Sequence, residues 1–95
     1  MIDLATLGNT IATENNIELL RGIFPTLLGE VRQRHETLEG LDPIAVPVFT
    51  KEEVDRARGQ LGSIHSLDVM RRHAQDVFKG LQRLDEQIAR ARGRR

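Results

Sequence analysis

Residues 67–91, LDVMRRHAQDVFKGLQRLDEQIARA, place apolar side chains at Leu67, Met70, Ala74, Val77, Leu81, Leu84, Ile88 and Ala91. The steps alternate three and four without a miss, which is the period of a helix that buries one stripe against another helix. With Leu67 as heptad position a, the a layer reads Leu67, Ala74, Leu81, Ile88 and the d layer Met70, Val77, Leu84, Ala91. Phe78 at position e widens the stripe past a strict coiled-coil seam, as in a helix that faces more than one neighbour. Ala74, Gly80 and Ala91 are small enough to let a partner helix come close. So broad a stripe in so short a chain predicts more apolar face than one helix of the same chain covers. Leu67, Met70, Ala74, Val77, Phe78, Leu81, Leu84 and Ile88 are therefore expected to form an interface, with a second copy in a homodimer or with a helical protein partner.

Upstream, a second stripe runs Ile17, Leu20, Phe24, Leu27, Val31, Arg34, Leu38 in the same alternation, flanked by Leu28 and His35. It predicts a long helix over 14–39. Pro25 lies inside it, and a proline removes a backbone bond and clashes with the carbonyl four residues earlier, so a kink is expected near Ile23–Phe24. The second half then restarts with proline in its favoured first turn. Each long helix spans about 37–40 Å at ~1.5 Å per residue, and the matched lengths predict antiparallel packing of the two.

Shorter pieces fill the rest. Residues 1–12 carry Leu4, Leu7 and Ile11 at helical spacing and predict a short N-terminal helix. Gly40 ends the long helix, and residues 40–50 read as an extended apolar strap bordered by Pro43 and Pro47. The strap is expected to lie over the core, with an exposed patch for a partner as the alternative. Thr50-Lys51-Glu52-Glu53 is a capping box that opens a helix over 51–61. Steps of three between Leu61 and Met70 mark a corner at Gly62–Ser63, after which the seam helix occupies 66–92 and a basic tail 93–95.

Ninety-five residues make one domain near the lower end of the usual size range. The formal charge is zero, which gives no general polyanion-binding signal, yet it is unevenly spread. Residues 1–50 hold three arginines against seven carboxylates, net −4, and residues 71–95 hold eight cations against three carboxylates, net +5. The basic flank of the last helix, with Arg83, Arg90, Arg92, Arg94 and Arg95, defines the alternative function: tracking nucleic-acid phosphates. Three phenylalanines and no tyrosine or tryptophan leave little for base stacking.

With no cysteine, neither disulfides nor zinc–thiolate sites form, and a cytoplasmic location is expected. No window approaches the roughly 20 apolar residues of a membrane span. His35, His65 and His73 do not form a spaced ligand pair, so no metal or other cofactor is expected. Arg58 and His65, with six residues between them around Gly62, have a spacing similar to the Arg-x(4–6)-His element of helical HEPN ribonucleases, which would imply phosphodiester chemistry at that pair. The segment His35-Glu36-Thr37-Leu38-Glu39-Gly40 departs from the His-x-Leu-Lys-Gly signature of histidine phosphotransfer domains. Its leucine is shifted by one, and a glutamate stands where phosphate needs a cation. No glycine-rich phosphate loop or nucleophile elbow is present. The expectation is an all-α bundle of two long antiparallel helices, shorter helices and an apolar strap. Its expected function is a non-enzymatic interaction module, an adaptor, chaperone or regulator, acting through the 67–91 seam.

Overall fold

The computed structural model describes residues 3–93, and the molecule is all-α. The helices are α1 (Leu4–Thr13), α2 (Ile17–Gly22), α3 (Phe24–Leu41), α4 (Lys51–Gln60) and α5 (Leu67–Gly93), with a single 3₁₀ turn at Leu61–Ser63. The starts of α1 to α4 have local causes. The Asp3 carboxylate accepts from the Ala5 amide at 3.1 Å, and the Asn16 side chain accepts from the Glu18 and Leu19 amides. Thr50 accepts the Glu53 amide at 3.2 Å and donates to the Glu53 carboxylate at 3.3 Å, closing the capping box over α4. Between α2 and α3 the chain turns only at Ile23, and Pro25 stands in the first turn of α3, where its missing N–H costs no helical bond.

The central element is α5, which packs against α1, α2, α3 and α4. Its a and d side chains meet Leu20, Phe24, Leu27 and Val31 in one core closed by Leu7 and Ile11 from α1 and Val54 and Ala57 from α4. Leu20, Phe24, Leu27, Val31, Met70, Leu81 and Leu84 are wholly inaccessible to solvent. Each such side chain stabilises the fold by about 1.5–3 kcal/mol relative to its exposed state. Phe78, half-buried, packs its ring edge on Gly8, where an added Cβ would lie 3.0 Å from the ring.

Long-range contacts fix the directions of the helices. Gly8 meets Phe78, while Arg71 donates to the Ala12 and Glu14 carbonyls at the end of α1, so α1 runs opposite to α5. Phe24 stacks on His73 with centroids 5.2 Å apart, and Arg34 pairs with Asp85 at 2.8 Å, so α3 runs in the same direction as α5. Phe49, just before α4, lies on Gly80, whereas Ala57 inside α4 meets His73, so α4 runs opposite to α5.

The expected antiparallel pairing of the two long helices is therefore corrected: they are parallel. Matched lengths suggested a hairpin, but the strap and α4 together form a complete return leg between them. Two reversals of direction restore the first one.

The strap also differs from expectation. It does not lie flat on the core with all its apolar residues inward. In an extended chain successive side chains point to opposite sides. Exposure alternates along the segment even though it turns at Pro43–Ile44 and bends at Val48–Phe49: Ala45, Pro47 and Phe49 are partly buried, and Ile44, Val46 and Val48, called here the outer row, are exposed. Of the strap, Phe49 packs against the core.

Candidate functional site

The seam residues form the middle of the molecule rather than an interface. Met70, Ala74, Val77, Leu81, Leu84 and Ile88 are buried, and Leu67 and Phe78 are partly buried against the same core. The expectation that one chain could not cover this stripe is corrected. Four helices of the same chain surround α5, and the wide stripe that Phe78 produces is the face needed to meet them.

Of the cationic set, Arg83, Arg90 and Arg92 are exposed on α5. Arg90 lies 3.8 Å from Glu86, both about two-thirds exposed, so little is gained from that pair. Arg94 and Arg95 lie outside the described residues. Phe24, Phe49 and Phe78 all pack against the core, so no phenylalanine stands beside these arginines as a stacking platform.

What the molecule does present is the outer row of the strap. Ile44 is 91% exposed, Val46 75% and Val48 47%. Isolated exposed apolar residues are ordinary, but three within five residues of one segment form a cluster. The segment beneath them is pinned. The Val48 amide donates to Gln87 Oε1 at 2.9 Å, and Gln87 Nε2 donates to the Val46 carbonyl at 2.9 Å. This two-bond clasp makes one side-chain amide of α5 act as a neighbouring strand would. His35 Nε2, on α3, donates to the Phe49 carbonyl at 2.6 Å, and the Ala45 amide donates to the Asp42 carbonyl at 3.1 Å. The Phe49 ring seats on Gly80, where a Cβ would come within 2.5 Å of it. No side chain but hydrogen fits at position 80 with the strap in place.

Sequence reading named the strap, and named Gly80 as a point of close approach for a helix, but tied neither Gly80 nor Gln87 to the strap; the group over Gly80 is the Phe49 ring. Gln87 and Gly80 belong to α5, and nothing in their own neighbourhood of the chain points to residues 39 and 31 positions away. His35 and His73 have structural partners: His73 Nε2 donates to the Ala57 carbonyl at 2.9 Å. Arg58 and His65 line different depressions of the surface. Among the described residues no group of three or more His, Asp or Glu side chains is placed to hold a metal. No described helix is long and apolar enough to cross a membrane.

A second surface feature lies between α3 and α4. There a groove encloses about 470 Å³ over Leu28, His35 and Val54, and a shallower depression continues it towards Pro25, Gly29 and Leu61. Charged side chains of both helices line its rims.

These features define a small all-α bundle with a closed core, a clasped apolar strap and an inter-helix groove. Compared with protein-family models, with curated proteins and with solved structures, the chain matches none.

Proposed function

We propose that this chain is a non-enzymatic protein–protein interaction module, an adaptor, chaperone or regulator, that docks its partner on the outer row of the strap. The reading rests on one observation: Ile44, Val46 and Val48 face solvent from a backbone that four hydrogen bonds and the Phe49–Gly80 contact hold still. A pre-ordered segment loses little conformational entropy when it binds, so the apolar area buried on docking goes largely into affinity. Burying side chains of this size is worth about 1.5–3 kcal/mol each, enough in sum for a specific contact if the partner is complementary. The seam of α5 supports the function indirectly, by supplying the rigid floor to which the strap is fixed.

The test compares wild-type protein with an Ile44→Asp/Val46→Asp variant as bait in the native host. Neither side chain packs on the core, so both baits melt alike, and partners retained by wild type are lost from the variant. Identical partner sets on the two baits would remove the strap from the account. The basic face of α5, the alternative, predicts instead co-purifying nucleic acid that is released by salt and lost with Arg83→Glu/Arg90→Glu.

A further inference from the structure

We infer that the groove between α3 and α4 binds a small, uncharged aromatic compound that donates one hydrogen bond to His35. The inference starts from the histidine ring, which is only 7% exposed. Its Nε2 lies 2.6 Å from the Phe49 carbonyl oxygen, a group that can only accept. Nε2 therefore carries the hydrogen, and Nδ1 of the neutral ring is a bare acceptor. Nδ1 makes no hydrogen bond to the described residues, yet among them no buried side-chain nitrogen or oxygen lacks a partner, so Nδ1 is open to solvent. The depression that His35 lines is this groove. A nearly buried imidazole that can take one donor, set over an apolar floor, is the kind of isolated polar group that orients a small ligand.

The rest of the groove defines the body of that ligand. Leu28 and Val54 form the floor, and the trough continues over Pro25 and Leu61. Its volume of about 470 Å³ falls within the range of small-molecule sites. The rims carry Arg32, Lys51 and Arg58 against Glu36, Glu39 and Asp55, so neither sign is in surplus. Arg32 is already 3.7 Å from Glu36, and Arg58 is 3.6 Å from Asp55. Nothing there selects an anion or a cation, which leaves an uncharged compound. Arg32 from α3 and Arg58 from α4 do offer a guanidinium and an aliphatic stem on each side of the trough. Such groups hold an aromatic ring by its faces.

This inference goes beyond the strap reading and does not rest on it: the groove binds its ligand whether or not Ile44 docks a protein. The test titrates the purified, isotope-labelled full chain with indole, N-methylindole and N-acetyltryptophanamide, followed by NMR of the backbone amides and the imidazole nitrogens. Indole is expected to shift the amides of Leu28, Arg32, Val54 and Arg58 saturably at millimolar concentration, and to move the His35 Nδ1 resonance as a hydrogen bond forms. N-methylindole keeps the ring and lacks the N–H; it is expected to bind about fivefold more weakly, the worth of one ordinary hydrogen bond, and to leave Nδ1 unmoved. Arg32→Ala/Arg58→Ala, at two exposed positions, is expected to stay folded and to weaken indole binding several-fold. Groove amides that do not respond up to the solubility limit of indole overturn the inference. So does equal binding of indole and N-methylindole, an Nδ1 resonance that stays in place, or full affinity in the arginine variant. N-acetyltryptophanamide carries the same ring on a peptide unit, and tighter binding of it than of indole would assign the groove to a protein partner's tryptophan instead.

Discussion

Adding a single methyl group at Gly80 tests how the strap is held. Gly80→Ala would place a Cβ 2.5 Å from Phe49 Cδ2, 2.7 Å from Cγ and 2.9 Å from Cε2, all well inside van der Waals contact. Either the ring or the helix must move. Overpacking of this kind costs about 1–3 kcal/mol, while replacing a mid-helix glycine by alanine returns about 1 kcal/mol of helix propensity. The expected net change is a loss of about 1 kcal/mol, a fall in Tm of about 4–8 °C for a domain of this size. Gly40→Ala is the control. It sits near the end of α3 with nothing within 4 Å of its added Cβ, and it should gain up to about 1 kcal/mol. Thermal melts followed by far-ultraviolet circular dichroism compare the two. The decisive extension is the double variant Gly80→Ala/Phe49→Leu, in which the smaller side chain relieves the collision. Its loss should be less than the sum of the single losses by about 0.5–3 kcal/mol, the range for residues in direct contact. If Gly80→Ala stabilises the protein as Gly40→Ala does, the Phe49 ring does not rest on α5 and the clasped strap is wrong.

Other substitutions probe the remaining links. Leu81→Ala, at a wholly inaccessible position, should cost about 2–5 kcal/mol in chemical denaturation, and Leu81→Asp should abolish the helical signal. Arg21→Met should cost about 1–3 kcal/mol, because its guanidinium is the donor to the Leu61 and Ile64 carbonyls where the chain turns from α4 into α5. A double-mutant cycle on Arg34→Met and Asp85→Asn should give a coupling of about 1 kcal/mol or less, since the Asp85 side chain is 42% exposed. Engineered cysteines at Glu39 and Arg92, in a chain that has none of its own, should carry spin labels that lie close together. An antiparallel arrangement would separate them by roughly the length of α3, about 27 Å at 1.5 Å per residue.

Elements with a local cause were legible in the chain. The three-four alternation of residues 67–91 specifies a helix with one buried face wherever that face is spent, and Thr50 to Glu53 carry their cap within four residues. What the pattern could not say was which surface would cover that face. Periodicity reports that Leu81 and Leu84 are buried, but the same stripe suits a second chain or the four neighbouring helices that cover it here.

Helix direction failed for a related reason. Two stripes of equal length imply pairing, yet their relative direction depends on how many reversals lie between them, and α4 adds one that matched lengths do not reveal. The strap was half legible. Its apolar composition was plain, but which of its two rows turns inward depends on Gly80, Gln87 and His35, residues remote in sequence.

The most direct test of the proposed function places a photoreactive side chain at Ile44 in the intact protein in its native host, with Lys79, exposed on α5, as the comparison position. A discrete cross-linked protein from position 44, absent from position 79, is the predicted result. No adduct from position 44, or the same adducts from both positions, would contradict a strap that docks a partner.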